Sequence, residues 1–440
     1  MKHGPTSLPD GDHRDPTGPP PRFGVWLIGA RGNVATTTMV GAHAVARGLC
    51  PPTGMVTALP DFAHVAWPPC DAVPFGGWDV TATPLPEQAE AIAAASGALP
   101  LPLIESARDW LTACDREIRP GTTTGCGERI RQVAGTGGAL PASLSPLIEA
   151  LQQDLRSFQG RHGLDTVVVI NLASTEPPPP PQFVAEDLDQ LRAAIRRNES
   201  AGLPASVVYA YAAIDAGFPY INFTPSTGAS GLALRQLAEL RGVPHYGNDG
   251  KTGETLVKSV LAPLFAMRNL RVLTWQGYNL LGNQDGRVLD DPANKASKVR
   301  SKDHLLPKIL GYTPHTHVGI DYVPSLDDWK TAWDLIHFEG FLGTRMTLQF
   351  TWQGCDSILA APLVLDLARL AALAARRGER GLLTHLASFF KSPMGCTEHD
   401  LTGQFARLQR YLAQVAAAEP AAPPAAPPPI ATAEEDRDRR

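Results

Sequence analysis

Lysine is scarce in this sequence. Of its 39 basic residues nine are lysine and the rest arginine, and every lysine but Lys2 lies between positions 251 and 391. A chain that carries its solvated positive charge on arginine has little use for lysine as surface filler. Lysine supplies a compact ammonium whose pKa falls on burial, so that it can move a proton. Lys251, Lys298, Lys302, Lys330 and Lys391 are therefore expected in a site, whereas Lys258, Lys295 and Lys308 read as ordinary surface lysines. Cysteine is sparse too. Cys50, Cys70, Cys114, Cys126, Cys355 and Cys396 form no CxxC and no Cys/His pairing at zinc spacing, a pattern that argues against a zinc module and suits a reducing cytoplasm.

Positive charge is not in excess. The formal net charge is −5, and basic residues cluster only at 376–380 and at Arg439 and Arg440, so no nucleic-acid partner is expected. No uninterrupted apolar run approaches the roughly 20 residues that span a bilayer, and residues 1–21 lack an apolar core of signal-peptide kind. The expectation is a soluble cytoplasmic protein with no membrane partner.

What is present is an α/β pattern. At 440 residues the chain exceeds the roughly 250–300 residues at which one core stops growing, so two domains are expected. Residues 1–21 read as a disordered leader and the Ala/Pro-rich 415–440 as a disordered tail. Structure starts at Phe23, where FGVWLIGARGNVATTTMVG gives a strand, a glycine turn and a helix of small residues. A dinucleotide pyrophosphate rests on a helix N-terminus in such a setting. The turn departs from GxGxxG, since Arg31 replaces one glycine and Val34 the last, so a nucleotide loop and a plain tight turn both remain open on the motif alone. Arg31 is also long enough to reach a phosphate, which leaves NAD against NADP open.

Asp79, after a Gly-Gly-Trp turn, fits either a ribose contact or a helix cap. Residues 84–160 carry helical patterns. Thr166 to Ile170 read as a buried parallel strand with Ser174, Thr175 and Glu176 at its carboxyl end, and prolines 177–181 as a stiff connector. Helices near 184–198, 205–216 and 230–241 alternate with the strands YINF and VPHYG, which argues for a Rossmann-type doubly wound parallel sheet.

The stretch from Gly247 to Lys302 organises the rest. In it Asp249, Lys251, Thr252, Asn279, Asn283, Asp285, Lys298 and Lys302 alternate with apolar segments, placing polar groups at element ends where sites are built. Beyond, LRVLTWQGYN and HTHVGIDYVP read as strands and DDWKTAWDLIHF as a helix. TRMTLQFTW alternates, with Met346, Leu348, Phe350 and Trp352 on one face, as in a sheet covered on one side by, for instance, a subunit partner. A long Ala/Leu helix from Ser357 to Arg377 reads as the return to the first domain. The expected division is 22–255 with 357–414, interrupted by a second α+β domain over 256–356.

Taken in order, GNDGKTGET, GYNLLGNQDG, SKVRSK, the DDWK segment and GCDS make the chain resemble the inositol-3-phosphate synthase (myo-inositol-1-phosphate synthase) family of the short bacterial and archaeal type, from about residue 22 to about 395. The resemblance implies an NAD domain interrupted by a domain that forms the active-site lid and a homotetramer interface. It implies a sugar phosphate substrate, D-glucose 6-phosphate, converted to 1D-myo-inositol 3-phosphate by oxidation at C5, enolisation at C6, aldol closure onto C1 and reduction.

On the same basis Lys298 and Lys391 are similar in placement to lysines that relay the proton. Lys302 and Lys330 match lysines that bind the phosphate or the C1 oxygen. Asp249, Asn279, Asn283, Asp285 and Asp356 match positions that hold substrate hydroxyls, the nicotinamide or the lysines, and buried ammonium groups do need carboxylates such as Asp285 and Asp356 beside them. Gly29, Gly32, Asn33 and Val34 match the cofactor turn, Asp79 the ribose contact, and Ser174, Thr175, Lys251 and Thr252 further cofactor contacts. Members of the family use a monovalent or divalent cation, and no cluster here selects one. The alternatives are a carbocycle-forming synthase for another sugar phosphate and a catalytically silent NAD-binding homologue.

Overall fold

The computed structural model describes residues 22–68, 73–134, 143–178, 185–200, 203–282, 286 and 305–418. Asn283, Asp285, Lys295, Lys298 and Lys302 lie outside the described residues, as do the leader 1–21, prolines 179–181 and residues 419–440.

Short runs of apolar residues build a parallel sheet. Numbered in chain order, its strands are β1 (Phe23–Ile28), β2 (Phe75–Asp79), β3 (Ile118–Pro120), β4 (Thr166–Asn171), β5 (Tyr220–Asn222), β6 (Pro244–Gly247) and β11 (Gly381–Leu382). They lie in the order β11-β6-β5-β4-β1-β2-β3, every pair parallel. β1 is buried at all six positions because helices cover both faces. On one side Met39, Ile104, Val364 and Leu408 share a core with Val25 and Leu27; on the other Leu151, Val208 and Leu234 share one with Trp26 and Val169. Strand order reverses between β1 and β4, and the crevice beyond their carboxyl ends is where sheets of this winding receive ligands.

The second sheet contains β7 (Arg271–Leu281), β8 (His315–Tyr322), β9 (Trp329–Glu339) and β10 (Arg345–Cys355), in the order β10-β9-β7-β8. β7 and β8 run parallel, and β9 is antiparallel to both its neighbours. The helix Gly253–Met267 covers one face, with Ala262 and Phe265 packed in one core with Trp275 and Ile336. The opposite face carries Tyr278 and Trp333, 39% and 37% exposed.

Two expectations are corrected. DDWKTAWDLIHF is not a helix, because Lys330, Ala332, Asp334 and Ile336 point inward while Trp329 and Trp333 point out. That period of two is a strand's, and the charges at its start mask it. The chain also stays ordered past 415: the helix Leu401–Ala418 buries Leu408, Leu412 and Val415 in the first core, at the i, i+4, i+7 spacing of one helical face. The helix Asp356–Arg376 is long and apolar enough to cross a membrane by composition, but 67% of that window is buried inside the fold.

Candidate active site

Gly29 ends β1 at φ +80°. A Cβ there would stand 3.1 Å from Ala173 Cα in the loop after β4, so only glycine lets the two loops meet at the crevice. The helix Asn33–Ala46 follows, with Gly32 at its N-cap, no side-chain cap and no acidic residue in its first turn. Its leading N–H groups and positive dipole end are available to an anion, and the crevice fits a dinucleotide pyrophosphate. Val34 packs against the first core, while Thr175 is buried and Ser174 half-buried beyond β4.

Asp79 is a strand-end acid rather than a helix cap. It accepts from the Arg31 N–H (2.7 Å) and from the Thr81 N–H and Oγ1 (2.8 and 2.7 Å). The Arg31 guanidinium is held by Asp115 Oδ1 (2.9 Å) and the Thr81 carbonyl (2.8 Å). Its reach toward a phosphate is thereby taken up by protein partners.

The loop 247–251 is zipped to 389–394. Lys251 N–H donates to Phe389 O and Lys391 N–H to Asp249 O, both at 2.7 Å. This pairing places Lys391 Nζ 2.7 Å from Asp249 Oδ1, with both side chains almost fully buried. Lys251 turns its ammonium instead to Gln404 on the last helix, and burial pulls its pKa down to about 8.

Thr252 caps the helix Gly253–Met267 without a side-chain hydrogen bond to it. Lys330 Nζ lies 3.3 Å from Asp356 Oδ1, and a Cβ on Gly253 would stand 3.1 Å from that ammonium and 3.5 Å from Trp352 Nε1. Trp352 Nε1 is buried and has no acceptor among the described residues. A helix N-terminus, an ammonium and a spare N–H thus converge, which is the chemistry of a phosphate or oxyanion site. Asn279, on β7, donates to Glu254 Oε2 in the first turn of that helix (2.7 Å).

Lys258 is not a surface lysine. It is 2% exposed, with Glu254 Oε1 at 2.5 Å and Asp334 Oδ1 at 3.6 Å. The i, i+4 spacing of Glu254 and Lys258 on an otherwise apolar helix is the signal in the sequence. Asp328 carried no such signal. Its carboxylate accepts from Asn33 Nδ2 (3.3 Å), Cys355 Sγ (2.9 Å) and Ser357 Oγ, and so ties the glycine turn after β1 to the junction that presents Asp356. Among the described residues no three His, Cys, Asp or Glu side chains converge as a metal site.

Glu176 is buried beyond β4, accepting from the Ser206 N–H (3.0 Å), Ser206 Oγ and Cys126 Sγ (3.4 Å). Burial outweighs these bonds and pushes its pKa up to about 7. The folded state therefore holds a proton that the unfolded chain releases near pH 4.5, and stability is lost as pH rises through about 7. Relative to Glu176→Gln, the native protein should lose about 3 kcal/mol between pH 4.5 and 7.5. Parallel pH profiles of melting temperature for the two proteins would contradict this.

The sequence profile described as myo-inositol-1-phosphate synthase matches residues 23–413. An inositol-3-phosphate synthase of Bacteroides thetaiotaomicron is 34% identical over 415 residues, covering 89% of this chain and 95% of the relative. The structure superposes on the inositol-3-phosphate synthase of Caenorhabditis elegans with a TM-score of 0.81 at 25% identity, covering 90% of this chain and 86% of that one. A myo-inositol-1-phosphate synthase-related protein from Thermotoga maritima gives 0.72 at 25% identity, with 88% and 98% covered. With the profile spanning both sheets, the chain belongs to the myo-inositol-1-phosphate synthase family.

Proposed function

We propose that this chain converts D-glucose 6-phosphate to 1D-myo-inositol 3-phosphate with NAD, as a member of the short bacterial and archaeal type. The observation that carries the reading is the pair of buried lysines, Lys391 on Asp249 and Lys330 on Asp356, set beside an uncapped helix N-terminus. NAD, when bound, would supply the redox chemistry, accepting the C5 hydride and giving it back after ring closure. The Gly29–Val34 turn would hold its pyrophosphate and Asp79 its ribose, with Ser174, Thr175, Asp249, Lys251 and Thr252 contributing further along the crevice.

Lys391 exchanges a proton with the C5 oxygen, its ammonium stabilised by Asp249. Lys330, oriented by Asp356, neutralises either the phosphate or the C1 oxygen, and the helix N-terminus at Thr252 and Gly253 favours the phosphate. Lys298, Lys302, Asn283 and Asp285 complete the set. The chain divides into 22–255 with 357–418 and the interrupting 256–356.

The same proposal includes a homotetramer, supported by the open face of the second sheet, where Tyr278 and Trp333 stack 6.0 Å apart, and by Phe341 and Leu342 at the β9–β10 turn, 88% and 86% exposed. Apolar surface of this kind marks a contact. Cytoplasmic residence without nucleic-acid or membrane partners belongs to the same proposal, and the net charge of −5 disfavours binding to anionic nucleic acid or lipid.

The test is to incubate the purified protein with NAD and glucose 6-phosphate, following inositol phosphate by phosphorus NMR and NADH by absorbance. Product without accumulated NADH is expected. Absence of product with NAD retained would direct the search to another sugar phosphate, and a monomer in light scattering would remove the tetramer.

A further inference from the structure

We infer that Glu254 is a positioning residue that determines which end of the Asn279 carboxamide faces the substrate. The inference rests on the proposal that Asn279 touches the sugar. Asn279 Nδ2 donates to Glu254 Oε2 at 2.7 Å and is directed also at Gly319 O at 3.4 Å, so both of its protons are turned into the protein. Its Oδ1 is left buried and without a donor among the described residues. Buried polar atoms in folded proteins are as a rule paired, so this oxygen, set beside the Lys330 site, calls for a donor from a ligand.

The sheet register brings Asn279 to the site. Leu281 pairs with Lys330 and Asn279 with Ala332 across β7 and β9, so Asn279 and Lys330 share the face that meets Gly253. Around a sugar in this place, ammonium groups supply donors in plenty. An acceptor for a hydroxyl proton is the scarcer function, and Asn279 Oδ1 provides it.

Lys258 makes the orientation obligatory. Glu254 Oε1 faces Lys258 Nζ at 2.5 Å, and Lys258 also lies 3.6 Å from Asp334 and 5.7 Å from the centre of the Trp275 ring. An ammonium has donors only, so it demands an oxygen. A carboxylate meets that demand and still shows its second oxygen to Asn279. A glutamine at 254 has one oxygen. It goes to Lys258, the NH₂ turns to Asn279, and Asn279 must turn over to accept, presenting a donor to the sugar where an acceptor is needed.

The experiment uses the full chain with NAD and compares E254Q, E254Q/K258M and N279A. E254Q should raise the KM for glucose 6-phosphate at least about tenfold, with NAD affinity by fluorescence titration unchanged. E254Q/K258M should recover most of that loss, because without the ammonium the Gln oxygen is free to face Asn279. If either variant unfolds, E254Q/K258M/D334N, which leaves no buried charge of this cluster behind, carries the test, and a near-native KM is its expected result. A native KM in E254Q while N279A is impaired would overturn the positioning role and leave the Asn279 contact standing. A folded double variant no better than E254Q would overturn it as well, assigning Glu254 a role through charge. No effect in N279A would overturn the contact and the inference together.

Discussion

Lys391→Met should lower turnover about 10³-fold while leaving NAD binding intact. Lys391 is the only described lysine whose ammonium is locked at 2.7 Å to a carboxylate in the loop at the crevice, and proton exchange at an oxygen is what a methionine of similar length cannot perform. The change also strips a buried carboxylate of its cation. Asp249 is 3% exposed, and breaking a buried pair from one side costs about 3 kcal/mol or more, so loss of activity alone would not separate chemistry from folding. Asp249→Asn in the same chain makes the separation, because it removes the charge left behind. The double variant should regain the melting temperature and remain inactive. An inactive single variant whose activity returned in the double variant would make the Lys391–Asp249 pair structural only.

That pair shows how much of the site was legible in the sequence. GNDGKT and FFKSP lie some 140 positions apart, and |i−j| for Lys391 and Asp249 is 142; spacing cannot bring them together, whereas the similarity of each segment to one family does. The Rossmann-type sheet was legible because β1 and β4 are apolar runs ending in glycine or polar turns, a local pattern. β9 was misread because strand and helix differ there only in the period of a segment that opens with charges. Lys258 has a local trace in the sequence, its i, i+4 spacing from Glu254 on an apolar helix. Asp328 has none, because its burial is decided by Asn33, Cys355 and Ser357 closing on it, and Asn33 comes from a distant part of the chain that no window on the sequence contains.

Lys330→Met is expected to lower kcat/KM for glucose 6-phosphate about 10²- to 10³-fold, with far less loss of stability than Lys391→Met. The difference lies in the partners. Asp356 keeps a side-chain exposure of 20% against 5% for Asp249, so water can solvate it when Lys330 is gone, and the carboxylate left behind costs less than the more deeply buried Asp249 does. The kinetic split then decides what Lys330 holds. If it binds the phosphate at the Gly253 helix terminus, most of the loss appears in KM, and the preference for glucose 6-phosphate over glucose shrinks with it. If it stabilises the C1 oxygen during ring closure, the loss appears in kcat at saturating substrate and the preference for phosphate is kept. The 3.1 Å separation between Lys330 Nζ and a Cβ built on Gly253, together with Trp352 Nε1 beside it, which has no acceptor among the described residues, favours the phosphate, so the KM effect is the expected one. An unchanged kcat/KM would remove Lys330 from the site altogether.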